Sequence, residues 1–163
     1  MVAYTSVFDA NDNDVQYTFS LDAGATWSNP SSMPNWTFER EDNVDLAASM
    51  APSGRFHAVY RHNLPSPEGG DIWYQWTDVG TPNGWSSALD VDEGSTASGH
   101  NYYPRPAVGT TLAQTLENEA LVAWTSYGGV TYDVYFDSPA LGGLIFADGF
   151  ESGNSSAWSS WVP

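Results

Sequence analysis

The chain has no cysteine and no lysine. Its 4 cationic side chains are all arginine (Arg40, Arg55, Arg61 and Arg105), set against 20 Asp and Glu, for a formal charge of -16 over 163 residues. Without cysteine there are no disulfides, no thiolate metal sites and no cysteine nucleophile, and the compartment is left open. So little positive charge removes the contacts by which proteins release counterions from phosphate backbones. Nucleic acid and anionic membrane surfaces are therefore poor partners. No apolar run approaches the roughly 18 residues of a membrane span. The opening residues have no basic n-region and no long apolar h-region, so no signal peptide is expected in this chain. Helical periodicity is nearly absent; only residues 112–121 tolerate a 3.6-residue reading.

Aromatic residues are plentiful. Phe, Trp and Tyr make up 15% of the chain and charged residues only 15%, which is not the composition of a disordered acidic polypeptide. Short runs of Val, Tyr, Trp, Phe and Thr recur between clusters of Gly, Pro, Asn and Asp, the pattern of an all-β protein.

The runs also repeat. Val2-Ala3-Tyr4-Thr5-Ser6, Ala58-Val59-Tyr60-Arg61-His62 and Val122-Ala123-Trp124-Thr125-Ser126 line up. Each is followed by a loop and then by Asp, an aliphatic residue and aromatics: Asp14-Val15-Gln16-Tyr17, Asp71-Ile72-Trp73-Tyr74 and Asp133-Val134-Tyr135-Phe136. Taken at that Asp, the repeats lie 57 and 62 residues apart. Trp27-Ser28 and Trp85-Ser86 mark a further repeated element after a turn, and Leu46-Ala47-Ala48 matches Pro106-Ala107-Val108 before the pair. The unit is thus four short strands. Such a unit cannot bury both its faces alone and is expected to stack radially; a two-sheet sandwich with coincidental spacing is the competing arrangement.

Between the second and third strands of the first repeat stands Ser20-Leu21-Asp22-Ala23-Gly24-Ala25-Thr26-Trp27. It resembles the Asp-box, S-x-D-x-G-x-T-W, or BNR repeat, of sialidase-like β-propellers, at Ser20, Asp22, Gly24, Thr26 and Trp27. The chemistry of those positions is structural. The Asp carboxylate accepts turn amides, the Gly takes a backbone angle other residues resist, Ser and Thr tie the hairpin, and Trp plugs the turn onto the sheet. The second repeat keeps only the terminal Trp85-Ser86, and the third leaves the pattern at Asp137.

The resemblance implies an all-β fold, a partial β-propeller of about three four-stranded antiparallel blades with the first blade incomplete. The propeller segment is expected over residues 1–141, with repeats at about 1–37, 38–92 and 93–141. The first repeat opens directly on Val2 without an innermost strand, so the chain reads as the C-terminal part of a longer propeller. Its partners would then be the remaining propeller blades, or a second copy of the chain closing one ring. Residues 142–163 read as a tail that supplies a last strand and then loses order. Phe146-Ala147-Asp148-Gly149-Phe150-Glu151-Ser152-Gly153 and the Ser155-Ser156-Ala157-Trp158-Ser159 that follows resemble a short ending found on exported bacterial proteins of unrelated domain content. That resemblance implies a secreted or cell-surface parent.

In a four-stranded antiparallel blade the first turn and the blade-to-blade link lie at ends that the strand directions fix. Ligand-facing groups of sialidase-like propellers lie at the mouth opposite the Asp-box, so the resemblance implies a functional face on loops 7–13, 63–70 and 128–131 and links 29–45 and 92–103. Candidate ligand residues there are Trp36, Arg40, Arg61, His100, Tyr103 and Arg105, because aromatics beside arginine suit sugar stacking and carboxylate capture. The alternative is a solvated link whose aromatics cover the seam between blades. Asp9, Asp12 and Asp14 form an oxygen-rich loop to which calcium is the fitting cation, but it lacks the sixth-position Gly and closing Glu of an EF-hand, and a solvated hairpin turn is the preferred reading. His57, His62 and His100 have no metal spacing. A sialidase-like enzyme needs three converging arginines, a Tyr nucleophile assisted by Glu, and an Asp acid/base. Tyr103-Pro104-Arg105-Pro106 departs from the family's F-R-I-P motif, and no catalytic residue is assigned. The resulting expectation is a non-catalytic extracellular propeller segment that acts as a binding or structural module toward glycans or another extracellular polymer. The alternative is the C-terminal fragment of a sialidase-like glycoside hydrolase.

Overall fold

The computed structural model describes residues 1–7, 12–34, 40–49, 54–63, 70–91, 100–108, 120–127, 132–138 and 143–148. Among them every regular element is a strand: β1 (Val2–Val7), β2 (Asn13–Thr18), β3 (Ser31–Ser32), β4 (Arg40–Ser49), β5 (Arg55–Asn63), β6 (Gly70–Asp78), β7 (Leu89–Asp90), β8 (His100–Val108), β9 (Ala120–Tyr127), β10 (Tyr132–Ser138) and β11 (Gly143–Asp148). The chain is all-β, with antiparallel pairing at every register of more than one residue. No described helix is long and apolar enough to cross a membrane. The stretch at 112–121 is described only from Ala120, which opens β9.

The strands form three consecutive meanders. β1-β2-β3 is a three-stranded sheet. β4-β5-β6-β7 and β8-β9-β10-β11 are four-stranded, and a single parallel bridge, Gly70 to His100, joins them. β11 pairs Gly143 with Ser138 and Asp148 with Val134, so the segment just past residue 142 supplies the last strand of the third meander. Residues 149–163, expected to lose order, lie outside the described residues.

The first two meanders share their hydrogen bonds as well as their sequence pattern. Ser28 N donates to Phe19 O (2.9 Å) as Ser86 N does to Trp76 O (2.8 Å). Phe19 N donates to Ser28 Oγ (3.2 Å) as Trp76 N does to Ser86 Oγ (3.1 Å). Met33 N reaches Val15 O (2.9 Å) and Val91 N reaches Ile72 O (2.8 Å). The second and third meanders share an irregularity in their first strand. Two residues of β4 (Asn43, Val44) and two of β8 (Tyr103, Pro104) stand opposite one residue of the neighbouring strand. In β4 this bulge is carried by Asn43 at φ 55°, in the left-handed region.

Strand alternation sends the side chains of the middle meander into two separate cores. Val59, Ile72, Tyr74 and Val91 pack against Ala120, Val122 and Trp124 of the third meander. From the opposite face, Ala58, Tyr60 and Trp85 pack against Val15, Tyr17 and Met33 of the first. The Trp85 ring meets Tyr17 edge-on, with centroids 5.4 Å apart at 73°. A two-sheet sandwich has one core between its sheets. Here the middle sheet is covered on both sides.

Several polar groups in these cores are paired. Tyr60 OH donates to Gln75 Oε1 at 2.7 Å, and Gln75 Nε2 donates to Ser86 O at 2.7 Å. His57 lies in β5; its Nδ1 is 2.8 Å from Tyr74 OH and its Nε2 3.4 Å from Ser49 Oγ. Burial, with the nearby Arg55 charge, pulls the His57 pKa down to about 4.

Two outcomes follow. Trp124 is fully buried, so Trp124→Ala is expected to lower unfolding free energy by about 3–5 kcal/mol in urea titrations followed by far-UV circular dichroism. His57 binds a proton more readily in the unfolded than in the folded chain. Its contribution to stability is therefore complete above pH 6.5 and is lost as pH falls toward about 4. An NMR titration of its ring is expected to give a midpoint near 4, and a midpoint near 6.5 would show the ring to be solvated.

Candidate functional site: the end of the sheets opposite the Asp-box

The register fixes which strand ends lie together. Val7 pairs with Asn13, Arg40 with Asn63, Asn63 with Gly70, Gly70 with His100, His100 with Tyr127, and Tyr127 with Tyr132. The residues flanking loops 7–13, 63–70 and 128–131, and the starts of β4 and β8, therefore share one end of their sheets. The Asp-box turn, between β2 and β3, lies at the other.

At the box, the expected chemistry is present. Asp22 Oδ1 accepts Thr26 N (2.8 Å) and Ser20 Oγ (2.7 Å), and its Oδ2 accepts Thr26 Oγ1 (2.6 Å). Ser20 Oγ in turn accepts Gly24 N at 2.7 Å. The Thr26 hydroxyl, then the Thr26 amide and Ser20, hold the Asp22 carboxyl down to about 2. Ala23 and Gly24 take φ 55° and 93°, which closes the turn. Trp27 departs from expectation. It does not plug into the sheet but lies beside Gly24, 50% exposed, whereas Trp85 at the matching position is 9% exposed. The reason is local: Trp85 has the first meander to sit on, and no described element covers Trp27.

At the opposite end the acidic residues organise the charges. Asp42 receives Arg61 in a two-pronged contact, Nε to Oδ1 at 2.8 Å and Nη2 to Oδ2 at 2.7 Å. Arg40 Nη2 approaches the same Oδ2 at 3.6 Å. Gly70 lies beneath the Arg61 stem, so close that a Cβ there would stand 3.0 Å from Arg61 Cγ and Cδ. Two of the candidate arginines are thus anchored to one carboxylate. Beside them Glu41 is 3% exposed, with its Oε1 3.7 Å from His62 Nε2. The His62 ring stacks on Trp73, with centroids 3.9 Å apart at 14°.

Across the seam from β4, Asp14 is 6% exposed at the start of β2. Of the run read as a solvated hairpin turn, Asn13 and Asp14 belong to β2 and are buried, while residues 9–11 lie outside the described residues. Burial raises the Asp14 pKa, the Asp12 charge raises it further, and hydrogen bonds from Ser32 and Glu41 oppose both. Burial also raises the pKa of Tyr60, and the Glu41 charge adds to the effect.

Among the described residues no group of His, Asp and Glu has the arrangement to hold a metal ion. Asp9 and Trp36 lie outside the described residues. His100, Tyr103 and Arg105 stand on β8, with Tyr103 in its bulge at the register position Asn43 holds in β4. The structure adds Glu41, Asp42, His62 and Trp73 to this end. For Glu41 and Asp42 the signal in the sequence is the charged run Arg40-Glu41-Asp42, which in part carries internal ion pairs; His62 and Trp73 lie outside it. Comparison with protein-family models, with curated proteins and with solved structures gives no match.

With its pKa raised, Asp14 binds a proton more readily in the folded than in the unfolded chain. Asp14 therefore favours folding most at acid pH, and the advantage falls as pH rises through its folded value. Asp14→Asn is expected to raise the urea midpoint at pH 7 and to flatten the acid limb of the stability profile. A lower midpoint at pH 7 would show that the carboxylate itself is required.

Proposed function

We propose that the chain is a non-catalytic segment of a sialidase-like β-propeller, acting at the cell surface or outside the cell as a binding module for glycans. The observation that carries the architecture is the recurrence of one unit with a fixed pair of faces: the same Ser clasp, the same first-strand bulge, and a middle sheet buried on both sides. Radial repetition accounts for that pattern, and a single sandwich core does not.

The non-catalytic reading is supported by the arginines. Arg61 and Arg40 are directed at Asp42, so neither is presented as part of a cluster converging on a substrate carboxylate. Capturing a carboxylic sugar with Arg61 would first require breaking a two-pronged, largely buried ion pair. Glycan contact is assigned instead to the bulge of β8 and its neighbours, with Tyr103 as the stacking residue. Bulges re-aim side chains at the rims of sheets, and an aromatic face suits a pyranose ring.

A glycan array probed with the chain, alongside a fluorogenic sialoside assay, tests this reading. Binding without turnover is expected, with Tyr103→Ala weakening binding about two- to tenfold. Sialoside turnover lost on changing Arg105 or Tyr103 would replace it with a glycoside hydrolase. Absence of binding to any glycan would remove the ligand class.

A further inference from the structure

The turn between β6 and β7 closes as the Asp-box does, but with different atoms. In the box, the amide just ahead of Trp27 is that of Thr26, and it donates to Asp22 Oδ1 at 2.8 Å. Just ahead of Trp85 stands the amide of Gly84, and it donates to Thr81 O at 2.8 Å. The same carbonyl accepts the Thr77 hydroxyl at 2.8 Å, and Thr81 N donates to Asp78 O at 3.0 Å. Trp85 and Ser86 follow at once. The first meets Tyr17 across the seam, and the second clasps Trp76.

The residue before Gly84 is Asn83, and the two make the single Asn-Gly pair of the sequence. Both are exposed. The carbonyl carbon of the Asn83 side chain is an electrophile, and the Gly84 main-chain nitrogen is the nucleophile that closes a five-membered ring on it. With no Cβ, Gly84 leaves that nitrogen uncrowded and the backbone free to turn into the ring geometry. In the folded turn a Cβ at this position would stand 3.2 Å from Thr81 O. The proton of the same nitrogen is committed to Thr81 O, so attack requires the turn to open first. The first turn has no such liability, because Ala25 stands before Thr26.

We propose that Asn83 is a site of spontaneous deamidation gated by this turn, and that the reaction loosens the seam between the first and second meanders. Base removes the Gly84 amide proton, the nitrogen bonds to Asn83 Cγ, and the Cγ–Nδ2 bond breaks to release ammonia. Water then opens the succinimide. Addition at Cγ gives aspartate. Addition at the main-chain carbonyl carbon gives isoaspartate, whose backbone runs through Cγ and is one methylene longer. No electrons are gained or lost. Either product adds one negative charge to a chain already at -16. Only isoaspartate lengthens the backbone between Thr81 and Trp85, and so only it displaces the Ser86 clasp and draws the Trp85 ring off Tyr17. The inference rests on the bonds of this turn and is independent of the glycan reading above.

The test incubates the whole chain in mildly alkaline buffer, folded and in urea. Isoelectric focusing follows the gain of charge, and peptide fragmentation separates aspartate from isoaspartate at residue 83. The folded chain is expected to react about tenfold more slowly than the chain in urea, the factor set by an opening free energy of about 1.4 kcal/mol. Thr77→Val removes one donor from Thr81 O. It is expected to speed the reaction of the folded chain and leave the rate in urea unchanged. The isoaspartyl chain is expected to unfold at a lower urea concentration than the starting chain. Asn83→Asp, which carries the charge without the extra methylene, is expected to keep the original midpoint. Equal rates in the folded chain and in urea would overturn the gate, as would a folded Thr77→Val chain that reacts no faster. A folded chain that stays unmodified at residue 83 through many half-lives of the reaction in urea would overturn the site itself. An isoaspartyl chain with an unchanged urea midpoint would overturn the link to the seam. The two wild-type rates decide the gate even where Thr77→Val fails to fold.

Discussion

The structure depends on the middle sheet having no solvent face. In β5 and β6 successive side chains alternate between two cores, and both positions of the alternation are apolar or internally paired: Ala58, Tyr60 and Gln75 on one side, His57, Val59, Ile72 and Tyr74 on the other. A sheet of this kind cannot be stable by itself, because either uncovered face would expose aromatic surface to water. Its neighbours are therefore part of its fold, and the order of packing follows the order of the chain. Gln75 is satisfied within the meander itself, where it links the Tyr60 hydroxyl to the Ser86 carbonyl.

The two ends of the sheets are built on different chemistry. The Asp-box end is a local device: Asp22 gathers the Thr26 amide, the Thr26 hydroxyl and the Ser20 hydroxyl within one exposed turn, and needs nothing from the rest of the molecule. The opposite end is long-range. Asp42 holds Arg61 from the adjacent strand, Glu41 meets His62 there, and Asp14 comes from a different sheet. A chain with only four arginines and a charge of -16 holds two of them on one carboxylate at this end. Arginines already paired in this way contribute orientation more than capture.

Much of this was legible in the residues. The Val-x-Tyr and Ile-x-Tyr runs that mark β2 and β6, the Trp-Ser pairs and the Leu46–Pro106 correspondence are local patterns, and each is matched by equivalent register or hydrogen bonding. The turn chemistry of Asp22 and Gly24 was equally readable, because it is contained within eight residues. What the pattern could not supply is anything set by contact between units. Trp27 and Trp85 have the same sequence signature, yet one is half exposed and the other buried, because burial is decided by the neighbouring sheet. The Asp9–Asp14 run looks solvated by composition, yet Asp14 is buried at the start of β2. Arg40 and Arg61 looked like ligand groups because their partner, Asp42, lies across a strand pair whose register no single segment encodes.

The claim on which all of this rests is that the seam between units is a specific, energetically coupled fit, and the Tyr17–Trp85 contact is where it is most exposed to test. A double-mutant cycle with Tyr17→Ala, Trp85→Ala and the pair, measured by urea denaturation, isolates that contact from the burial of either ring alone. The account predicts a coupling energy of about 0.5–1.5 kcal/mol, the range for an edge-to-face aromatic pair. Strict additivity of the two substitutions would mean that the first and second meanders do not meet there, and would contradict the repeated seam.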